Sequence, residues 1–481
     1  MGELPPAQKS PTLPFALVPL ITLIIMLSSS IYLFGDSTTS GPGQIALIIS
    51  GVLAGLIGVL NGHKWHALEQ GAADSIKRAL PAIFILLMVG TLIGLWMLSG
   101  TIPYLVYYGL QILIPEVYYV AALLLCSIVS ISIGSSWTTA STVGVALVGI
   151  ASASGLSMEI TAGAVISGAY FGDKLSPLSD TTNLAAAVTE TELFEHIRFL
   201  LWTTVPAIVI AIFVFTYFSL SASSQIDQSR ITSISQAIEA SYNLTPLLAL
   251  PLLVTLGLAV IRQPAFIALL IGALTAALVG ITTQTHLYSG NGGIIDAIKN
   301  LWLVAANGFV AESGNELLDN LLSRGGMDSM LNTVWLTLSA MFFGGMMEKS
   351  GALMVLVRYL IIGVSSGGAL MRRAGTTALA ANLITSDQYL AIALPSRMYA
   401  EKFTEMNLES KNLSRVLEDY GTVTSPLIPW NTCGAFMAVT LGVATSDYFL
   451  FCIFNIASPL VSYAYAMANF KVEPLVEMAA T

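Results

Sequence analysis

Residues 167–183 read SGAYFGDKLSPLSDTTN and lie within otherwise apolar sequence. The stretch carries Asp173, Lys174 and Asp180, and Pro177 lies among them. Proline removes a backbone donor and clashes with the preceding turn, so we predict that a helix breaks here. An ionisable group near the centre of a bilayer costs about 3 kcal/mol even on the gentler insertion scales. The stretch therefore predicts a broken helix whose polar residues face a cavity inside a membrane protein.

A second copy of this pattern lies near the other end of the chain, where residues 418–432 read EDYGTVTSPLIPWNT. Gly172–Leu178 and Gly421–Leu427 agree at Gly, Ser, Pro and Leu, at a spacing of 249 residues (421 − 172). The second copy contains two prolines, Pro426 and Pro429, so a stronger break is expected. This repetition predicts two related halves with one broken helix in each.

Two dipeptides support the repeat by their order. Ser99-Gly100 matches Ser350-Gly351 at a spacing of 251 (350 − 99), and Pro19-Leu20 matches Pro251-Leu252 at a spacing of 232 (251 − 19). A loop of extra residues around 286–301 would explain the growth in spacing. We divide the chain into a first transmembrane repeat (1–220, core motifs 135–142 and 172–183), a polar linker (221–244), a second transmembrane repeat (245–470, core motifs 382–389 and 418–432) and a C-terminal tail (471–481).

The composition is that of a membrane protein. Of 481 residues, 55% are hydrophobic and 10% are charged, whereas soluble domains carry roughly 25% charged residues. Apolar runs close to the ~20 residues of a membrane-spanning helix recur along the chain. We predict an all-α polytopic membrane protein of two inverted-topology repeats, with broken helices or re-entrant hairpins and about ten full transmembrane helices.

Loop charges favour inversion. Residues 62–78 contain two lysines, two histidines and an arginine against two acids, whereas residues 312–328 contain four acids against one arginine. By the positive-inside rule, the first connection is cytoplasmic and the second is external. Matching loops on opposite sides of the membrane are what an inverted repeat predicts.

Other classes of protein are disfavoured by the sequence. The net charge of −9 provides no basic patch, and neither Gly-rich phosphate-binding pattern occurs, so we expect no nucleic acid and no nucleotide partner. Cys126, Cys433 and Cys452 stand apart in apolar sequence, which suggests neither a disulfide framework nor a transition-metal site. We expect no cofactor.

The polar residues of the core motifs offer oxygen ligands, which suit a hard cation such as Na⁺. Asp387 stands out because it lies in a third polar patch, Asn382–Tyr389, inside an apolar run. The predicted ion-binding residues are Asp173, Ser176, Asp180, Thr181, Asn183, Asp387, Thr424, Ser425 and Asn431, with Thr138, Ser141, Ser386, Gln388, Trp430 and Asp419 in support.

Structural roles compete with these assignments. Asp173 and Lys174 could form ion pairs at a membrane surface, and Asp180 could cap the following helix. The hydroxyl cluster at 135–142, a repeat counterpart of the Asp387 region, could join helices by hydrogen bonds. Trp430 could serve packing alone.

The runs GAYFGDKLSPLSDTTNLAAAV and SRVLEDYGTVTSPLIPWNTCGAFMA, together with Ser386–Tyr389 and Leu394–Arg397, closely resemble signature segments of the NhaC family of bacterial sodium/proton antiporters. The resemblance extends from the first apolar run to about Ala466. It implies inverted repeats with re-entrant hairpins, and a homodimer, which such transporters often form. It also implies Na⁺ and protons as transported ions and a multi-pass location in the lipid bilayer of the bacterial inner (plasma) membrane.

The residues and the resemblance together favour a secondary active transporter rather than an enzyme. Competition of Na⁺ and H⁺ for shared buried carboxylates would couple the two gradients. A Na⁺- or H⁺-coupled carrier of a small organic anion, as in malate/lactate exchange, or of an amino acid is the main alternative. A channel and a membrane-embedded hydrolase are weaker hypotheses, because neither a repeated pore loop nor a His-containing catalytic grouping is evident.

Overall fold

A computed structural model describes residues 10–34, 38, 40–112, 114–222, 228–288, 293–361 and 366–475. Within these residues the chain is helical, and its extended pairing is a single bridge between Leu408 and Pro474. The predicted all-α class is confirmed. The main helices are Leu13–Phe34, Pro42–Leu60, Trp65–Leu98, Thr101–Gln111, Tyr118–Ile133, Val145–Ser154, Met158–Leu175, Asp180–Val188, Leu193–Ala222, Gln228–Ser241, Leu250–Val260, Ala265–Thr283, Ile294–Asn307, Glu316–Leu322, Leu331–Lys349, Ala352–Ile361, Gly367–Thr385, Gln388–Glu405, Ser410–Leu417, Thr432–Leu441 and Ile453–Met467.

Seven helices in the described part of the chain are long and apolar enough to cross a membrane, and there are nine if each of two bent pairs counts as one span. About ten crossings were expected. The remaining helices are short because breaks divide them, and such half-length helices reach only part of the way through a ~30 Å hydrocarbon layer. Together these features define a multi-pass membrane protein.

Helices at matching positions of the two halves run antiparallel. Along the contact between Trp65–Leu98 and Leu331–Lys349, Gly71 lies against Lys349, whereas Gly90 lies against Met330. Between them, Ser75 Oγ lies 3.9 Å from Met341 Sδ. These helices precede Ser99-Gly100 and Ser350-Gly351, so they are repeat counterparts, and their opposite directions are what an inverted repeat produces.

Each of these two helices packs against a neighbouring helix that runs parallel to it. Gly55 of Pro42–Leu60 lies against Met346, and Gly58 lies against Ser350. In the other half, Trp96 Nε1 donates to Gly272 O at 3.4 Å, and the rings of Phe84 and Phe266 are 6.3 Å apart. Pro42–Leu60 therefore corresponds to Ala265–Thr283, and the helix before each corresponds too, in agreement with the Pro19-Leu20 and Pro251-Leu252 match.

The extra residues of the second half are not simply a loop. The expected loop at 286–301 contains the end of a helical turn, Thr285–Tyr288, and most of Ile294–Asn307, while 289–292 fall outside the described residues. The apolar faces of Ile294–Asn307 favour a helix that packs against Trp65–Leu98, where Thr91 Oγ1 donates to Ala305 O at 3.3 Å. The connection at 62–78 is likewise shorter than expected, because a helix begins at Trp65.

The helical breaks recur at a spacing of 252 residues. Gly134 (φ 73°) ends one helix and Ser135 caps the next, while Ser386 (φ 59°) and Asp387 do the same in the second half (387 − 135 = 252). Ser179 and Asn431 cap the helices that follow the proline segments, again 252 apart (431 − 179). All four caps accept a backbone N–H through their side chains, which satisfies helix N-termini inside the protein.

This spacing corrects the repeat alignment at the prolines. The sequence match at 249 pairs Pro177 with Pro426, whereas the helix boundaries pair Pro177 with Pro429 and Leu178 with Trp430. The contacts agree with this pairing of helix boundaries. In the first half, Ser130 Oγ donates to Ala169 O (2.6 Å), and at the corresponding positions of the second half, Asn382 Nδ2 donates to Gly421 O (2.5 Å). Each of those partners is 252 residues from its counterpart. The short Gly-x-x-x-Ser-Pro-Leu match is thus displaced by three residues from the structural repeat.

The segment expected to be a polar linker contains the helix Gln228–Ser241, and Ile234 and Ile238 on it are buried against the first half. The start of the predicted tail pairs with the chain near Asn407, because Leu475 N donates to Asn407 O at 2.8 Å. Residues 223–227 and 476–481 lie outside the described residues. The division of the chain at these points stays a prediction.

Candidate functional site

The proline segment of the first half meets the start of the second motif in the protein interior. Met158–Leu175 ends just before Pro177, and Asp173 and Lys174 lie in its last turn. The helix that begins at Ser410 passes into a wide π-helical turn at Glu418–Thr422, which carries Glu418 and Asp419. All four charged side chains are buried, with at most 3% of their surface exposed. We call Asp173, Lys174, Glu418 and Asp419 the buried charge cluster.

Contacts across this cluster join the two halves. Lys174 Nζ contacts Asp419 Oδ1 and donates to Ser458 Oγ at 2.9 Å. Thr203 Oγ1 also donates to Asp419 Oδ1, at 2.9 Å. Lys174 therefore has a fixed acidic partner, and the hypothesis of a surface ion pair for Asp173 and Lys174 is wrong, because the turn that carries them lies inside the protein.

The other two acids are bound by hydroxyl groups. Asp173 Oδ2 accepts hydrogen bonds from the Oγ (2.7 Å) and N (3.2 Å) of Ser136. Glu418 Oε1 accepts from Thr181 Oγ1 at 3.2 Å. Ser136 lies in the first turn after the Gly134 break, and Thr181 lies in the first turn after the Pro177 break, so the two breaks bring these hydroxyls to the acids.

Each acid of the cluster retains one oxygen without a partner. Asp173 Oδ1, Glu418 Oε2 and Asp419 Oδ2 are buried and make no hydrogen bond with the described residues. Three acids with one directly paired ammonium leave an excess of buried acid, and an unpartnered buried carboxylate oxygen is costly. The cluster therefore has free oxygen ligands and an unbalanced charge that a proton or a metal cation would neutralise.

Two other basic residues near the cluster, Arg415 and His196, serve different contacts. The buried Arg415 lies one turn before Asp419, stacks on the Phe199 ring at 4.3 Å and donates to Lys471 O at 3.1 Å. His196 Nδ1 lies 2.8 Å from Ser414 Oγ. Among the described residues, no three His, Cys, Asp or Glu side chains converge as metal ligands. A cation here would bind one or two carboxylates together with hydroxyl or carbonyl oxygens, as suits Na⁺ and not a transition metal.

A polar vestibule of about 460 Å³ reaches the first-half breaks from the protein surface. Asp180 and Asn183 are exposed on one wall, and Arg262 lies in the turn that forms the other. Asp180 Oδ1 accepts the N–H of Thr181 at 2.9 Å, while Tyr389 Oη donates to Asp180 Oδ2 at 2.6 Å. We call this space the inner vestibule. Its lining residue Asp180 is adjacent in sequence to Thr181, which contacts Glu418.

Asp180 thus differs from its expected environment. It is not buried, because the first turn of Asp180–Val188 faces the inner vestibule, and it is not the cap, because Ser179 caps this helix. Asn183 is also exposed and donates to Ser179 O at 2.6 Å. These two residues line the inner vestibule and are not part of the buried charge cluster.

The predicted residues of the second half form a separate polar group around Asn382. Asn382 Nδ2 donates to Thr424 Oγ1 at 3.1 Å, and Asn431 Nδ2 donates to Asn382 Oδ1 at 2.9 Å. Ser425 Oγ donates to Gln388 Oε1 at 3.4 Å. By the 252 spacing, Ser425 and Gln388 are the counterparts of Asp173 and Ser136, so the same contact occurs in both halves with a charge in only one.

The remaining predicted residues have mainly structural contacts. Asp387 is 8% exposed and caps Gln388–Glu405 through Leu390 N at 2.9 Å. Ser176 Oγ donates to Ile131 O at 2.8 Å, Ser141 Oγ donates to Thr138 O at 3.2 Å, and Trp430 Nε1 donates to Leu383 O at 2.9 Å. Thr138 N–H is bound by the Ser135 cap, whereas Ser386 Oγ is buried without a partner.

Sequence reasoning did not include Lys174, Glu418, Ser136 or Tyr389 among the predicted ligands. Glu418 had a usable signal, because it begins the acidic pair Glu418-Asp419 within apolar sequence. Ser136 and Tyr389 had none, since their roles depend on which helix ends meet in space.

The fold and the site define a helical membrane transporter with an unbalanced charge cluster between two related halves. Residues 168–470 match the family described as "Na+/H+ antiporter family". The chain belongs to this family. It is 38% identical to the Na(+)/H(+) antiporter NhaC of Alkalihalophilus pseudofirmus over 97% of each chain.

Other relatives are named for different substrates. The arginine/ornithine antiporter ArcD of Halobacterium salinarum is 35% identical over 96% of this chain and 93% of its own. The malate-2H(+)/Na(+)-lactate antiporter of Bacillus subtilis is 32% identical over 92% of each. All of these relatives are named as antiporters, whereas the solutes in their names differ.

Proposed function

We propose that this protein exchanges Na⁺ for protons across the plasma membrane and that the buried charge cluster carries both ions. The observation that supports this most directly is the excess of acid, with one free oxygen on each of Asp173, Glu418 and Asp419. The inner vestibule adds a polar approach to that cluster. The names of the NhaC relatives agree with the proposal.

Competition would couple the two ions. A carboxylate that binds Na⁺ gives up its proton, and a carboxyl that is protonated offers Na⁺ no negative charge. Asp173 and Glu418 are the preferred exchange sites, because their contacts are with hydroxyl groups and not with a cation. If the cluster changes its exposure only when it is neutralised by one or the other ion, the gradients are linked.

Lys174 would act as a fixed charge. Its ammonium group is held by Asp419 and Ser458 from the second half, so it balances one acid throughout the cycle and leaves the others to the transported ions. A net charge moved per cycle is worth about 2.3 kcal/mol per 100 mV. A stoichiometry with more H⁺ entering than Na⁺ leaving in each cycle would therefore let an inside-negative membrane potential drive Na⁺ outward.

Asp180 and Tyr389 are proposed as the first contact for an arriving cation. The Asp180 carboxylate is exposed to the vestibule, and Tyr389 links it to the Asp387 region of the second half. A cation there would lie next to Thr181, whose hydroxyl donates to Glu418. In this arrangement the predicted ligands Asp180, Thr181 and Asn183 serve delivery, while Asp173 and Glu418 hold the ion.

A carrier of a small organic solute is the second candidate. Arg262 and Asp180 line the same vestibule, and opposite charges on two walls would suit a carboxylate or an amino acid. The substrates in the names of the ArcD and malate/lactate relatives support this second candidate. We favour Na⁺/H⁺ exchange because the deepest charged groups are mostly acids.

The experiment is Na⁺-dependent movement of protons in proteoliposomes that contain a pH-sensitive dye. An inward or outward Na⁺ gradient should change the internal pH without any added solute, and K⁺ or choline should not replace Na⁺. The same vesicles are then tested for uptake of labelled malate, lactate and arginine. Solute uptake without solute-independent proton movement would contradict the proposal and favour the second candidate.

A further inference from the structure

Two cavities occupy corresponding positions in the two halves. The inner vestibule is lined by Pro177 and Leu178 and by the turn before Ala265–Thr283. A second cavity of about 240 Å³ is lined by Pro429 and Trp430, with Thr38 and with Gly43 in the first turn of Pro42–Leu60. We call it the outer cavity. Pro177 and Leu178 are 252 residues before Pro429 and Trp430, and the two cavities lie at the beginnings of the corresponding helices Ala265–Thr283 and Pro42–Leu60.

The cavities open on opposite membrane faces. Ala265–Thr283 runs parallel to Trp65–Leu98, so its preceding turn lies on the face where Lys64 lies. Pro42–Leu60 runs antiparallel to Trp65–Leu98, so Gly43 lies on the other face. The positive-inside rule makes the face with Lys64 and Arg262 cytoplasmic and the face with Gly43 external.

The two cavities differ in what lines them. The inner vestibule is lined by the charged side chains of Asp180 and Arg262 and the amide side chains of Asn183 and Gln263. The outer cavity is lined mainly by apolar residues, among them Leu27, Leu336 and Val439. At the repeat position where the inner vestibule has Leu178, the outer cavity has the larger Trp430, and its indole is anchored to Leu383 O at 2.9 Å.

We propose that the outer cavity is the external access route of the ion pathway and that Trp430 is the side chain that closes it in this conformation. The inference rests on the proposed function, because it assigns a route to the same transported ions. It follows from the repeat relation between the cavities and from the position of Trp430 next to Asn431, whose side chain contacts Asn382. Release of the indole from Leu383 O would connect the external face with the Asn382 group.

The test uses a cysteine at Ala435, which lines the outer cavity and is 5% exposed. A membrane-impermeant thiol reagent is applied to the external face of sealed vesicles, and the rate of modification is measured in Ala435→Cys with and without Trp430→Leu. The native cysteines are buried, and the protein without Ala435→Cys measures their background. We expect Trp430→Leu to raise the external rate about tenfold, the change for loss of ~1.4 kcal/mol that holds the closed form.

Two further variants make the test specific. Trp430→Phe keeps an aromatic ring without the donor to Leu383 and should give an intermediate rate. Leu178→Trp alters the corresponding position of the inner vestibule and should leave the external rate unchanged. An unchanged rate in both Trp430 variants, or modification of Ala435→Cys from the cytoplasmic face alone, would overturn the inference. The labelling needs no ion transport, so absence of Na⁺/H⁺ exchange together with faster labelling would reject only the proposed function.

Discussion

Lys174 of the first half and Asp419 of the second half form an ion pair in which neither side chain is exposed. The two residues are separated by 245 positions, and each lies where a helix changes its geometry: Lys174 in the turn before Pro177, Asp419 in a π-helical turn. The pair connects the halves where charge is most expensive. Its partners Thr203 and Ser458 come from two further helices.

The first prediction concerns the acids without a cationic partner. Asp173→Asn and Glu418→Gln keep the shape of the side chains and remove the charge, so each should abolish Na⁺-dependent proton movement in proteoliposomes while the protein still inserts and purifies. Glu405→Gln is the matched control, because Glu405 pairs with Lys402 on an exposed surface, where ion pairs contribute about 0–1 kcal/mol. Wild-type Na⁺ affinity in both cluster variants would refute the assignment.

The second prediction is a coupling between Lys174 and Asp419. Lys174→Gln leaves the buried acids without their paired ammonium and should cost about 3–5 kcal/mol, whereas Asp419→Asn leaves Lys174 in a cluster that keeps two acids and should cost less. The double variant removes both charges and should recover much of that loss. Thermal unfolding in detergent measures the cycle. Additive losses, with the double variant no better than the sum of the singles, would mean that the pair does not balance charge.

The third prediction separates capping from ion binding at Asp387 and Asp180. Asn is also a good cap, so Asp387→Asn should preserve stability, whereas Asp387→Ala should lower it by about 1 kcal/mol. The sequence predicts that Asp180 and Asp387 include the titrating carboxylate, and on that prediction Asp387→Asn also changes the pH dependence of exchange. Asp180→Asn should weaken apparent Na⁺ affinity, because Asp180 faces the vestibule. Exchange kinetics that match wild type in both Asn variants would remove these two residues from the pathway.

The fourth prediction fixes the orientation of the chain. Gly326 N donates to Gly90 O at 2.7 Å, so residues near 312–328 lie ~38 Å along the helix from its start at Trp65. Single cysteines at His63 and Glu312 should therefore be labelled from opposite sides, His63 from the cytoplasm and Glu312 from outside. Labelling of both from one side would contradict the inverted arrangement.

Several features of the fold can be predicted from the sequence alone. Asp173, Asp180 and Pro177 within apolar sequence predicted a broken helix with polar contents, and the helix does end at Leu175 and restart at Asp180. The second motif predicted the break between Leu427 and Thr432 in the same way. The match between Gly172–Leu178 and Gly421–Leu427, supported by the order of two dipeptides, predicts the repeat, and the packing of the long helices agrees with its inverted direction.

Other features are decided only by the tertiary structure. The spacing of 252 between caps was hidden by the chance similarity of Gly-x-x-x-Ser-Pro-Leu at 249, because a short motif carries no information about where a helix is capped. Asp180 and Asp173 looked equivalent in sequence, but one faces the inner vestibule and the other is buried against Ser136. Exposure at a helical break depends on the neighbouring helix, which lies far away in the chain.

The sequence by itself determined that this chain crosses a membrane, that its two halves are related, and that acids lie at membrane depth. These are consequences of local composition and of proline geometry, which act on residues close together in the chain. Only the tertiary structure decided that Glu418 shares a site with Asp173 and that Lys174 is paired with Asp419. Burial and charge balance depend on all the groups that surround an atom, and here those groups come from helices some 240 residues apart.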